Sequence, residues 1–139
     1  MFRIPTVIGL VSVAAMGLIA QPAFAQTPDE VLASFKTAAA STPNFQGFSA
    51  ARGENFFKAK HGKEWSCTSC HTDNPAAQGK HADTGKDMKP IAPSANAERF
   101  TDMAKVEKWF KRNCNDVLGR VCSPLEKGDV LSYLLTVKK

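Results

Sequence analysis

The chain has 139 residues, 22% of them charged, with 18 lysines and arginines against 13 acids and a formal net charge of +5. That length allows one small domain and little more. The cations are scattered rather than massed, which is the pattern of a solvated surface and excludes the basic patch that nucleic-acid binding needs.

Residues 1–25 read as an export leader. Arg3 supplies a positive start, Val7 to Ala20 is an apolar run, and Ala23-Phe24-Ala25 is a small-x-small cleavage site before Gln26. The run is short for a bilayer span and no second one follows, so no transmembrane segment is expected in the mature chain. Cleavage after Ala25 takes 25 from 139 residues and leaves 114, residues 26–139, in the periplasm. Losing Arg3 lowers the formal charge from +5 to +4, a mild bias towards an acidic redox partner. All four cysteines lie in this exported part, in an oxidising compartment.

Four helices are predicted and no strand alternation is found. Thr27-Pro28-Asp29-Glu30 is a capping box with proline in the first turn, followed by Val31, Leu32, Phe35, Ala38 and Ala39 at helical spacing. A second helix is predicted from about Ser49 to Lys60, with Phe56 and Phe57 inward. From Thr72 to Asn96 the chain is rich in Pro, Gly, Lys and Asp and lacks periodicity. A loop that long fits a compact domain only if it wraps a large prosthetic group. A third helix is predicted from near Asn96 towards Asn113, with Phe100, Met103, Val106, Trp109 and Phe110 as its apolar stripe. Ser123-Pro124-Leu125-Glu126 is a second capping box, opening a helix that buries Val130, Leu131, Leu134 and Leu135. The fold class is therefore all-α, a single domain.

Cys67-Thr68-Ser69-Cys70-His71 is a C-x-x-C-H motif. Two thiols at this spacing add across the vinyl groups of one haem, and the following imidazole falls beneath the iron as proximal ligand. A redox dithiol would sit in a βαβ pattern, which is missing. A zinc site would need a second C-x-x-C, and Cys114 and Cys122 are too far apart to supply it. The motif thus implies one covalently bound haem c on Cys67 and Cys70, with His71 on the iron.

The surroundings resemble a class I cytochrome c. Gly53 with Phe57 matches the G-x-x-x-F/Y of that family's N-terminal helix, where the glycine lets a second helix approach, and Tyr133 with Leu134 matches the aromatic position that packs there. The resemblance implies a helical domain wrapped around the haem, and a proline carbonyl, Pro90 or Pro93, as acceptor for the second nitrogen of His71. For the other face of the iron, chemistry alone leaves several candidates open. Met88 lies in the long loop, Met103 on the third helix's apolar stripe, and His61 and His81 are further donors.

The segment Asn113-Cys114-Asn115-Asp116-Val117-Leu118-Gly119-Arg120-Val121-Cys122, with Lys108-Trp109-Phe110-Lys111-Arg112 before it, resembles oxygen-binding cytochromes of the sphaeroides haem protein (SHP) type, which are related to cytochrome c''. The similarity runs from Phe48 through the haem motif and Lys89-Pro90-Ile91-Ala92-Pro93-Ser94 to the end. It implies that Asn113 is the second axial ligand, where cytochrome c'' has histidine, and that Cys114 and Cys122 form a disulfide. Asn115 and Asp116 then read as turn residues. An amide is a hard, weak donor that suits ferric iron better than ferrous. The expected function is a redox-gated site: Asn113 leaves on reduction and a diatomic gas (O2, NO or CO) binds. The family also implies electron delivery from a dihaem cytochrome c and a membrane cytochrome b. The alternatives are a plain electron carrier with Met88 or a histidine as permanent ligand, and a haem enzyme acting on NO or O2. Whether the chain is an enzyme stays open.

Overall fold

The structure, a computed structural model, describes residues 25–139; the leader expected over residues 1–25 lies, but for Ala25, outside them. Helix α1, Pro28–Ala39, begins at the predicted capping box. Thr27 Oγ1 accepts from the Glu30 amide at 3.3 Å, and the Thr27 amide donates back to the Glu30 carboxylate at 2.6 Å. Its apolar stripe puts Val31, Phe35 and Ala39 in the interior. Helix α2, Ala50–Lys58, is capped by Ser49, whose hydroxyl accepts from the Arg52 amide. Helix α3, Thr68–His71, is a single turn that carries the haem motif.

Helix α4, Met103–Leu118, starts and ends later than its apolar pattern suggested. The start is displaced because Asp102 caps it, accepting from the Lys105 amide at 3.0 Å, while Phe100 has a φ of 59° that no helix can continue through. The end is displaced because the first residue able to stop it in the left-handed region is Gly119, at φ 74°. Asn115 and Asp116, expected in a turn, therefore belong to the last helical turn. Trp109 turns away from the packed stripe and is 47% exposed, with Lys108 and Arg112 about its ring. Helix α5, Pro124–Thr136, opens on the second capping box: Ser123 Oγ accepts from the Glu126 amide and Glu126 accepts from the Ser123 amide. Each such cap is worth about 1 kcal/mol.

The helices pack around α5. Helix α1 lies on one of its faces, where Val31, Phe35, Val106 and Leu131 form a cluster with Met103 and Phe110 against it. Helix α2 crosses it on the other, where Phe57, Val130, Tyr133 and Leu134 cluster together. Side chains as fully buried as Phe57, Leu131, Leu134 and Val31 contribute about 1.5–3 kcal/mol each. The crossing of α2 and α5 depends on Gly53. A Cβ there would collide with the backbone carbonyl of Asp129, so only glycine permits this approach. Phe57 then meets Tyr133 with ring centroids 5.7 Å apart.

The stretch from Thr72 to Asn96 is better ordered than its composition suggested. Strands β1, Gly79–Lys80, and β2, Asp87–Met88, pair antiparallel, with Gly79 opposite Met88 and Lys80 opposite Asp87. Two residues per strand are too few to leave an alternation legible in sequence. The architecture is nonetheless all-α in class, five helices with one short ribbon among the described residues. No helix among the described residues is long and apolar enough to cross a membrane.

Candidate haem site

The motif turn is built by its own serines and threonine. The Ser66 amide donates to Ser69 Oγ at 3.0 Å, the Ser66 and Thr68 hydroxyls are 2.7 Å apart, and the His71 amide donates to the Cys67 carbonyl at 3.0 Å. One helical turn brings both thiols and the imidazole together, and the two cysteines are free rather than bridged. Burial pushes the Cys67 thiol up to about 11. The Ala82 amide donates to Cys70 Sγ at 3.3 Å, and Gly79 lies so close that a Cβ on it would strike the Cys70 carbonyl. The β-ribbon is thereby laid against the motif.

His71 is 8% exposed and packs 6.2 Å, centroid to centroid, from Phe57, the residue at the crossing of α2 and α5. Burial, and secondarily the positive charge of Arg99, push its pKa down to about 4, so the ring is neutral. Its ring nitrogens make no hydrogen bond among the described residues. Every fully inaccessible polar side-chain atom there does have a partner, so these nitrogens open onto space rather than onto packed protein. Two free thiols and a neutral, unpaired imidazole on one turn are the donor set that thioether attachment and axial ligation require. The Pro90 carbonyl, one of the two acceptors the class I resemblance offered for His71, accepts instead from Arg99 Nε at 2.9 Å and Asn96 Nδ2 at 3.3 Å.

The other candidate donors separate by what already holds them. His61 Nε2 is bonded to the Phe56 carbonyl at 2.8 Å and its ring stacks on Phe56 at 4.3 Å. His81 Nδ1 accepts from the Asp83 and Thr84 amides, closing the tip of the ribbon. Met103 is packed into the α1–α5 cluster. Met88 is in β2 opposite Gly79, the residue that abuts Cys70 and the His71 backbone.

Asn113 is placed differently. Val106, Phe110, Asn113 and Val117 recur at helical spacing and share one face of α4, the face that carries its buried residues. Asn113 is half-buried, and its amide has no partner among the described residues. The next residue, Cys114, is bridged to Cys122 with a Cα–Cα distance of 5.6 Å. Beyond the bridge, Lys63 Nζ, from the segment leading into the haem motif, donates to the Asn115 carbonyl at 3.2 Å. The helix around Asn113 is therefore fastened both to the segment after it and to the motif loop. Because Cys114 and Cys122 hold each other, they supply no metal ligand, and no group of three His, Cys, Asp or Glu side chains among the described residues is arranged to hold a metal ion.

Residues 43–134 match a domain family described only as a domain of unknown function, DUF1924. Two relatives are similar over most of their length. Cytochrome c'' of Methylophilus methylotrophus is 48% identical over 103 residues, covering 71% of this chain and 72% of the relative. The cytochrome c-type protein SHP of Cereibacter sphaeroides is 42% identical over 123 residues, covering 84% of this chain and 91% of its own. The structure of oxidised SHP, an oxygen-binding cytochrome c, superposes with a TM-score of 0.71 at 41% identity over 79% of this chain and 96% of that one. The solution structure of cytochrome c'', which concerns haem-ligand detachment, superposes with a TM-score of 0.70 at 43% identity over 81% and 94%.

Proposed function

Because the chain belongs to the family of SHP and cytochrome c'', c-type cytochromes with one covalently bound haem c, we propose that it is an exported cytochrome with redox-gated ligation. In this reading Cys67 and Cys70 form the thioethers, His71 is the proximal ligand, and Asn113 binds ferric iron but leaves on reduction. A diatomic gas then takes the place Asn113 has left. Residues 1–25 are the leader and residues 26–139 the haem domain, delivered to the periplasm. Electrons reach it from a redox protein, a dihaem cytochrome c or a membrane cytochrome b on the family pattern.

When bound, the haem supplies a one-electron iron centre with an exchangeable axial position. The chain supplies the asymmetry between its two faces. His71 is buried, neutral and rigidly seated on a turn whose two cysteines are tied to the same disc, so it stays on the iron in both redox states. Asn113 offers a neutral, weakly donating amide oxygen, which ferric iron holds better than ferrous. The Cys114–Cys122 bridge, worth about 2.6 kcal/mol in chain entropy, keeps the backbone of Asn113 in place whether or not its side chain is bound. The same side chain is then available to return on oxidation.

The observation that carries this reading is that Asn113 alone, among the candidate second ligands, is both unpaired and placed by a braced helix. His61 and His81 are each hydrogen-bonded to backbone through a ring nitrogen and Met103 is packed into the α1–α5 cluster, while Met88 lies in β2 beside the haem motif. Oxygen binding by SHP and ligand detachment in cytochrome c'' point the same way.

The test is the visible spectrum of the wild type and of Asn113→Ala, ferric and then dithionite-reduced under argon, followed by carbon monoxide. The wild type is expected to be low-spin ferric, to turn high-spin on reduction and to bind carbon monoxide. Asn113→Ala should retain its covalent haem but open the ferric iron to water and added ligands. An unchanged ferric spectrum in the variant removes Asn113 from the iron. A low-spin ferrous wild type unmoved by carbon monoxide makes the protein a plain electron carrier.

A further inference from the structure

Arg99 stands out among the cations as half-buried, held by two backbone carbonyls and matched by no acid. Its Nε donates to the Pro90 carbonyl and its Nη2 to the Lys89 carbonyl, each at 2.9 Å. The next two residues, Ile91 and Ala92, donate their amides to the Pro75 carbonyl at 3.0 Å, and Pro75 follows His71 by four residues. Ile91 also packs on the cluster that contains Phe57 and includes Cys67 at its edge. Two hydrogen-bonded steps thus join the guanidinium to the chain around the haem motif.

Those two carbonyls use two of the five N–H donors of a guanidinium and neutralise none of its charge. Arg52 and Arg120 pair with Asp129 and Glu126, but Arg99 makes no ion pair among the described residues. Its neighbour Glu98 is exposed. A half-buried guanidinium held in place without a carboxylate is a prepared anion site. Haem c brings two carboxylates of its own.

We propose that Arg99 is a positioning residue of the haem site: it pins the Lys89–Pro90 backbone beside the motif and receives a haem carboxylate with its remaining donors. This rests on the assignment of the haem to Cys67, Cys70 and His71. A fixed positive charge there favours the reduced iron, so Arg99 sets the reduction potential as well as the geometry.

The test uses covalently loaded wild type, Arg99→Gln and Arg99→Lys, with loading checked by the pyridine haemochrome and haem staining on a denaturing gel. Arg99→Gln is expected to shift the redox equilibrium about tenfold towards ferric, which for one electron is 59 mV. Arg99→Lys keeps the charge at neutral pH, but its potential should fall as pH rises through the lysine range near 10. The step is read as the difference from the wild type, whose guanidinium stays protonated through that range. A role confined to bracing the loop would leave Arg99→Lys without the pH step, whatever the potential of Arg99→Gln. The proposal is overturned by a fully loaded Arg99→Gln of unchanged potential. If Arg99→Gln does not accumulate with haem, Arg99→Lys decides, and tracking the wild type across that pH range overturns it. A Cys67→Ala/Cys70→Ala variant that still stains for covalent haem would instead sink the attachment assignment, whatever Arg99 does.

Discussion

His71 is neutral at working pH because its ring has lost water, and that has a consequence for stability. The folded pKa of about 4 lies below the ordinary histidine value of 6.5, so the unfolded chain takes up the extra proton first. Stability is therefore complete above about pH 7 and falls as pH drops from 6.5 towards 4, by as much as roughly 3 kcal/mol. Iron ligation, which also requires the neutral ring, acts in the same direction. Urea unfolding of the haem-free Cys67→Ser/Cys70→Ser protein at pH 7 and pH 5 is expected to give a lower midpoint at pH 5; equal midpoints would show that His71 stays uncoupled from folding. The motif itself was legible residue by residue, because five consecutive side chains must all meet one rigid disc. The fate of His61 and His81 was not. Each is satisfied by a backbone group that only the local turn brings to it.

At the scale of elements, the two capping boxes were readable because N-cap and N3 residues settle a helix start within four positions. The bounds of α4 were not, since its apolar stripe begins before the residue that caps it and the Phe100 backbone breaks the path between. The crossing of α2 and α5 hangs on Gly53, and its closeness has a measurable cost. Gly53→Ala would drive a methyl group into the Asp129 carbonyl, a backbone atom that cannot swing aside. Overpacking of this kind costs about 1–3 kcal/mol and occasionally more. A substantial fall in thermal midpoint is expected, together with a disturbed haem absorbance, because Phe57 links this crossing to His71. A variant as stable as the wild type would mean that the helices separate freely.

Across the whole molecule, two kinds of structure coexist. Helices α1, α2 and α5 bury side chains against one another in clusters built from protein alone. The stretch from Thr72 to Thr101 has a two-residue ribbon, a few backbone bonds to Pro75 and the Arg99 clamp, with Pro75 and Ala92 buried and Ile91 and Phe100 at the edge of the clusters. Such a segment leans on the prosthetic group for its core. In a Cys67→Ser/Cys70→Ser protein without covalent haem, hydrogen exchange over residues 79–92 is expected to approach that of a free chain while α1 and α5 stay protected. Equal protection in both forms would show that the loop stands on its own contacts.

Legible in the sequence alone were the haem motif, the helical class, the starts of α1 and α5 and the family to which Asn113 and the cysteine pair point, because each is carried by neighbours within a few residues or by a contiguous pattern. What only the tertiary structure decided is which donors are spoken for and which are not. On chemistry alone His61 and Met88 were candidates for the iron, and Asn113 entered only through the family resemblance. They differ in the backbone carbonyls, strands and packed rings that folding places beside them, and Arg99 differs from its fellow cations in the same way. Those partners come from residues distant in the chain, and no local spacing records them.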